Sequence, residues 1–192
     1  MGWARDLTEH EQELCGALGE VVIFWNHVEQ SFRVLLQRAT LLGEAEGRLW
    51  SLIAHLTPVQ LKDAMIAIAA DHAPDRETHL RHCGLLFDRE REYRNHYVHG
   101  PLTFNTTDNA SEALVLGVVA RGGALRLHGA TISVTELVAY RDRLGALLSY
   151  ISELLKDSRN LRNGLPLNEL PMPPLAARPT VTKQSYWDVY GR

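Results

Sequence analysis

Apolar residues recur every three or four positions along most of the chain, and this is the spacing of amphipathic α-helices. The first such helix is predicted over residues 8–42, where Thr8 and Glu11 have the spacing of a capping box. Helical spacing resumes over a shorter stretch near 49–56. The first third of the chain is therefore expected to be helical.

Prolines separate the helices that follow. Thr57-Pro58 supplies an N-cap and a proline at the first helical position, which predicts a helix over 58–71. Pro74-Asp75 then begins another helix, and His99-Gly100-Pro101 ends it because proline cannot continue a regular helix.

The pattern changes between residues 102 and 134. Ala113–Arg121 is rich in residues that favour extended structure, and Gly122-Gly123 is a tight-turn signal. Helical spacing returns at Thr135-Glu136 and continues to about 157. The predicted fold is mainly α: an antiparallel helical bundle of about four to five helices, with a small β-hairpin or three-stranded insert before the last helix.

The final 35 residues differ in composition from the rest of the chain. Five of the eight prolines lie there, and helical spacing is lost. We therefore divide the chain into a helical domain over 1–157, with its β-rich insert at about 102–134, and a proline-rich C-terminal arm or tail over 158–192. The aromatic end of the arm can dock on its own chain, dock on a second subunit or stay disordered.

The overall composition is that of a folded globular protein, with 45% apolar and 22% charged residues. The net charge of −3 argues against broad, sequence-independent binding of nucleic acid. Because the chain has neither a membrane-length apolar run nor a secretory signal, we expect a cytoplasmic protein with no membrane partner. Cys15 and Cys83 lie alone in apolar patterns and are predicted to be reduced core residues.

Candidate chemistry concentrates in Arg94-Asn95-His96-Tyr97-Val98-His99. Histidine exchanges a proton near neutral pH, and the arginine fork holds phosphate oxygens, so the pair suits cleavage of a phosphodiester without a metal. Asn95 and His99 are four residues apart and share a helix face, which allows the amide to orient the imidazole. Arg94 and His99 are about 140° apart on a regular helix, so a frayed helix end or a second subunit must bring them together.

Other interpretations of these residues remain open. Arg94 can pair with Glu90 on the same helix, and His99 can simply stabilise the helix C-terminus. The mixed charge run Arg89–Glu92 is predicted to cover a solvated helix face outside the site. Two His-x-x-His spacings, at 79–82 and 96–99, are compatible with a metal site. Neighbouring arginines and the lack of a zinc signature argue against a metal.

The Arg94-Asn95-x-x-x-His99 spacing, placed at the end of an amphipathic helix, resembles the signature of the HEPN-domain family, and the resemblance extends over residues 8–157. The family consists of helical bundles, commonly dimers, and many members are metal-independent ribonucleases. The resemblance implies that His99 acts as general base or acid and that Arg94 stabilises the phosphate. Asn95 and His96 would bind or orient the substrate, with Glu29 supporting them from the first helix.

The resemblance also implies an RNA substrate, a homodimer, no cofactor and products with cyclic 2′,3′-phosphate ends. A toxin or anti-phage defence effector, held in check by an antitoxin or another regulatory protein partner, fits that activity. The alternative is a non-catalytic domain of the same type that binds nucleotide, RNA or a protein partner. Some family toxins carry a modified tyrosine two residues after the motif histidine; this chain has Pro101 there, so regulation of that kind is not expected.

Overall fold

A computed structural model describes residues 6–40, 46–72, 76–98, 102–104, 112–121, 124–159, 169–179 and 182–185. Most of these residues are helical, which confirms the predicted mainly α fold. Its five helices are α1 (Glu9–Ala39), α2 (Glu46–Ala54), α3 (Pro58–His72), α4 (Glu77–Val98) and α5 (Val134–Arg159). Among these helices, none has both the length and the apolar character needed to cross a membrane.

Side-chain caps fix where α1 and α3 begin. The Thr8 amide donates to Glu11 Oε2 at 2.8 Å, and the Glu11 amide donates to Thr8 Oγ1 at 3.3 Å, which is the predicted capping box. The Thr57 amide likewise donates to Gln60 Oε1 at 2.8 Å, and the Gln60 amide donates to Thr57 Oγ1 at 3.4 Å. These bonds satisfy backbone donors that the first helical turn leaves unpaired.

Helix α5 begins earlier than its predicted start at Thr135. The Ser133 amide donates to Glu136 Oε2 at 2.9 Å, and the Glu136 amide donates to Ser133 Oγ at 3.2 Å. Ser133 is therefore the N-cap of a second Ser/Thr-x-x-Glu capping box, which the sequence contains but which we did not assign.

The described strands are β1 (Leu102–Phe104), β2 (Glu112–Arg121), β3 (Ala124–Ser133) and β4 (Thr182–Ser185). They form one antiparallel sheet in the order β1-β2-β3-β4. Strands β2 and β3 pair along their whole length, with Gly117 opposite His128, whereas β1 pairs only with the start of β2. The fourth strand comes from the C-terminal arm, where Lys183 pairs with His128. The predicted turn at Gly122-Gly123 lies outside the described residues.

The chain forms two compact units. One consists of Met1–Ile23, Glu92–Arg141 and Arg178–Arg192, and the other of Phe24–Arg91 and Asp142–Ala177. Both units take residues from α1, α4 and α5. The predicted division of the chain near residue 157 stays a prediction, and the aromatic end of the arm (Tyr186, Trp187 and Tyr190) lies outside the described residues.

Three stacked aromatic rings lie in the core of the unit formed by Phe24–Arg91 and Asp142–Ala177. The Phe87 ring stacks on Phe32 at 4.1 Å and on Trp25 at 5.1 Å between ring centroids. All three side chains are buried, so Trp25 belongs to the core of this unit. The aliphatic residues buried in this unit include Val28, Leu35, Leu36, Ile53, Leu61, Met65, Leu80, Leu86, Leu144, Leu147, Ile151 and Leu154.

The same unit buries a polar pair and a thiol. His79 Nδ1 and the Tyr150 hydroxyl lie 2.7 Å apart, so each satisfies a polar group that burial removes from water. Burial raises the pKa of the Tyr150 hydroxyl and of the Cys83 thiol, which keeps both protonated. Both cysteines are free thiols as predicted, but Cys15 is half-buried and is not a core residue.

Candidate functional site

The final turns of α4 carry three of the predicted site residues. The Arg94 side chain is half-buried, Asn95 is exposed and His96 is half-buried. Arg94 Nη1 donates to Asn95 Oδ1 at 3.3 Å, so the amide holds one side of the guanidinium group. This contact joins the predicted phosphate-binding arginine to Asn95, whose amide was predicted to orient the imidazole of His99.

The predicted catalytic histidine, His99, lies outside the described residues together with Gly100 and Pro101. It follows Val98, the last residue of α4, and β1 begins three positions later at Leu102. Its role and its approach to Arg94 therefore stay predictions.

Three tyrosines anchor the last turns of α4 to the start of α5. The ring centroids of Tyr93, Tyr97 and Tyr140 lie 5.6–6.0 Å from one another. Tyr140 and Tyr97 are buried, and the His96 ring meets Tyr97 edge-on at 5.3 Å. Aromatic pairs at these distances each contribute about 0.5–1.5 kcal/mol beyond their buried area.

This anchoring fixes the rotation of α4 about its axis. Tyr93 and Tyr97 are one turn apart and occupy the face packed on α5. Each residue turns the helix by about 100°, so Arg94 and Asn95 lie progressively further from that face. The half-buried Arg94 and the exposed Asn95 agree with this rotation. The four-residue spacing of Tyr93 and Tyr97 is the sequence signal that could have identified this shared face.

The prediction that Arg89–Glu92 covers a solvated helix face is wrong. Glu90 is only 3% exposed, and the other three side chains are half-buried. Consecutive helical residues point in directions about 100° apart, so four charges in a row are distributed around the helix. Their partners are the Ala176 carbonyl for Arg89, Arg143 for Glu90, Asp88 for Arg91 and Arg178 for Glu92.

Glu90 forms a buried ion pair between α4 and α5. Arg143 Nε lies 3.4 Å from both carboxylate oxygens of Glu90. Burial raises the pKa of the Glu90 carboxyl from its ordinary value of 4.5, and the charges of Arg143 and Arg89 only partly offset this. The cost of removing the carboxylate from water therefore exceeds the benefit of its cationic neighbours.

Replacing Glu90 by glutamine is expected to change how stability depends on pH. Because the carboxyl pKa is raised in the folded protein, the native state keeps its proton to higher pH than the unfolded chain. The free energy of unfolding of the wild type should therefore fall relative to that of Glu90→Gln as the pH rises above about 4.5. Urea unfolding followed by circular dichroism at several pH values measures this difference.

The exposed Glu77 provides a matched control on the same helix, because Glu77→Gln removes a carboxylate that pairs with Arg81 at the surface. Its stability difference from the wild type should depend much less on pH. A wild-type protein that becomes more stable relative to Glu90→Gln with rising pH would contradict the assignment.

Glu29 has its contacts within α1. Its carboxylate accepts a hydrogen bond from Trp25 Nε1 at 2.9 Å and pairs with Arg33 Nη2 at 2.5 Å. Arg33 also donates to the Leu56 carbonyl at 3.5 Å. These contacts give Glu29 a structural role in the unit that holds Trp25. Its support of the motif stays a prediction.

Two of the histidines considered as metal ligands, His79 and His82, have hydrogen-bond partners in the protein. His79 contacts the Tyr150 hydroxyl, and His82 Nε2 donates to the Pro173 carbonyl at 2.7 Å. Within the described ranges, no group of three His, Cys, Asp or Glu side chains is placed to hold a metal ion.

Comparison with known proteins identifies no relative of this chain. No family model matches the chain, and neither a curated protein nor a solved structure shows significant similarity to it. The chemistry of the site is therefore inferred from the residues at the end of α4.

Proposed function

We propose that the protein is a metal-independent endoribonuclease of the HEPN type. The observation that carries this proposal is the contact between Arg94 and Asn95 on the last turns of α4. His99 directly follows the last residue of α4 in the sequence. A mainly helical chain with this motif at the end of a helix fits the bundle of that family, with strands β1, β2 and β3 as its β-rich insert. The protein acts on RNA in the cytoplasm.

Arg94 is suited to hold the scissile phosphate. Its guanidinium group stays charged at any physiological pH and offers two parallel donors to phosphate oxygens. The contact with Asn95 and the tyrosine packing behind it reduce the number of orientations available to the side chain. A donor already oriented toward the developing negative charge is more effective than a flexible one.

His99 supplies the proton transfers. It removes the proton of the ribose 2′-hydroxyl, whose oxygen attacks the adjacent phosphorus while the bond to the 5′-oxygen breaks. The leaving 5′-oxygen takes up a proton, which the protonated His99 gives back. The products are a 2′,3′-cyclic phosphate and a free 5′-hydroxyl. Asn95 and His96 contact the substrate beside the reacting phosphate.

A homodimer resolves the geometry of the motif. Positions 94 and 99 of a continuous regular helix would point about 140° apart, and a second subunit would then supply the histidine that faces Arg94. A two-fold axis near the ends of two α4 helices brings one subunit's arginine to the other's histidine. Such an activity in the cytoplasm, as a toxin or an anti-phage effector, requires restraint by an antitoxin or a regulatory protein partner.

Cleavage of RNA in the presence of excess EDTA tests the proposal. The purified protein should cut end-labelled tRNA or mRNA and leave 2′,3′-cyclic phosphate and 5′-hydroxyl ends, identified by their resistance or sensitivity to phosphatase and kinase treatment. The double variant Arg94→Ala/His99→Ala, purified in parallel, controls for contaminating nucleases. Equal cutting by both proteins, or 3′-hydroxyl products, would exclude the mechanism. RNA binding without cutting would favour the non-catalytic domain.

A further inference from the structure

The burial of residues 171–177 repeats every three positions. Pro173 and Ala176 are half-buried, whereas the residues between and around them are exposed. A polyproline II helix has three residues per turn, so every third residue lies on the same edge. Three of these seven residues are prolines, which favours that conformation. We call Pro171–Ala177 the proline ridge.

Hydrogen bonds hold the inner edge of the proline ridge on α4. His82 Nε2 donates to the Pro173 carbonyl at 2.7 Å, and Arg89 donates to the Ala176 carbonyl. The two acceptors are three residues apart, which corresponds to about 9 Å in polyproline II. The two donors are seven residues apart, which corresponds to about 10.5 Å along an α-helix. The ridge therefore runs extended along α4, with its carbonyls in register with two side chains.

The other two edges of the proline ridge are exposed and apolar. Pro171 and Pro174 share one edge, and Met172 and Leu175 share the next, with 47% and 43% of their surfaces accessible. None of the seven residues is charged. Such a surface offers nothing to a phosphate backbone, but it matches the P-x-x-P segments that aromatic-lined grooves recognise.

We propose that the proline ridge is a docking site for a partner protein whose groove is lined with aromatic side chains. Grooves of this kind contact two edges of a polyproline II helix, and here the third edge is the one bonded to α4. Because the contacts with α4 already order the segment, binding loses little conformational entropy. The proline ridge contains none of the proposed catalytic residues, so this site does not depend on the proposed ribonuclease activity.

Titration of the full-length protein against purified SH3, WW and EVH1 domains tests the site, since all three classes bind polyproline II segments through aromatic grooves. Isothermal titration calorimetry should show binding by at least one domain. The double variant Pro174→Ala/Leu175→Ser, which alters both outer edges, should weaken that binding at least tenfold. Leu52→Ser removes an apolar side chain that is 69% exposed on α2 and should bind like the wild type.

The outcomes separate the proposed partner from other occupants of the surface. Absence of binding by all three classes, or binding that the double variant leaves unchanged, would overturn the proposal. Sedimentation velocity of the protein alone adds a second criterion. If the double variant dissociates an oligomer that Leu52→Ser leaves intact, the ridge contacts a second copy of the chain and the proposal is wrong.

Discussion

Replacing His99 by alanine is expected to lower the rate of RNA cleavage by about 10²–10⁴-fold, because the reaction then loses its proton transfers. Arg94→Ala should lower the rate by about 10²–10³-fold through the loss of charge stabilisation at the phosphate. The Arg94 side chain is half-buried and is not part of the buried core, so Arg94→Ala should stay folded. Initial rates on an end-labelled RNA in EDTA, beside circular dichroism spectra, measure both effects.

Two residues outside the motif provide matched controls. His55 is exposed after α2, and Arg81 lies on α4 with its partner Glu77 at the surface. His55→Ala and Arg81→Ala should cut like the wild type. Arg94→Lys keeps the positive charge but loses the planar fork, so its rate should lie between those of the wild type and Arg94→Ala. Full activity of folded Arg94→Ala or His99→Ala would place the chemistry elsewhere.

Mixing the two inactive proteins examines whether the site is shared between subunits. If Arg94 of one subunit acts with His99 of the other, a heterodimer of Arg94→Ala and His99→Ala contains one intact pair. After unfolding and refolding an equal mixture, half of the dimers should be heterodimers with one of two sites intact, so activity should return to about a quarter of wild type. Activity that stays at the level of the separate variants would mean that both residues act within one chain.

The sequence predicted the helices well because each follows from local signals. The capping boxes at Thr8 and Thr57 and the three-to-four spacing of apolar residues define most of α1 and α3 without reference to the rest of the fold. The start of α5 was misplaced because Thr135 competed with Ser133 as N-cap. Only the hydrogen bonds with Glu136 distinguish the two candidates.

The polar contacts between distant segments were not predictable in the same way. Glu90 reads as a surface charge in sequence, yet its partner Arg143 is 53 residues away on α5. The hydrogen bond from His82 to Pro173 joins residues that are 91 positions apart, so no local sequence pattern predicts it. Such pairs depend on which helix faces meet, and this is decided by the packing of the whole core. The composition of the arm predicted a proline-rich segment without helical spacing but not its bonds with α4.

The site itself was predictable as a motif but not as an arrangement. The spacing of Arg94, Asn95 and His99 follows from the sequence alone, whereas the Arg94–Asn95 contact and the tyrosine cluster that orients α4 do not. Tyr140 contributes to the site from α5, 43 residues after Tyr97. Its importance becomes visible only when the two helices are packed together.

The largest loss of stability is expected from Phe87→Ala. The Phe87 ring is fully buried between Trp25 and Phe32, so truncation removes both stacking contacts and leaves a cavity. Substitutions of this kind lower the free energy of unfolding by about 3–5 kcal/mol. This is a large share of the roughly 5–15 kcal/mol typical of folded domains. Urea denaturation followed by circular dichroism measures the change.

A graded set of variants distinguishes loss of packing from general damage to α4. Phe87→Leu keeps most of the buried volume and should lower the free energy of unfolding by about 1–2 kcal/mol. This variant should therefore stay folded even if Phe87→Ala unfolds. Leu85 is two residues away on the same helix and 49% exposed, so Leu85→Ala should change stability by about 0.5 kcal/mol or less. A Phe87→Ala protein within about 1 kcal/mol of the wild type would mean that the three rings do not form the centre of this core.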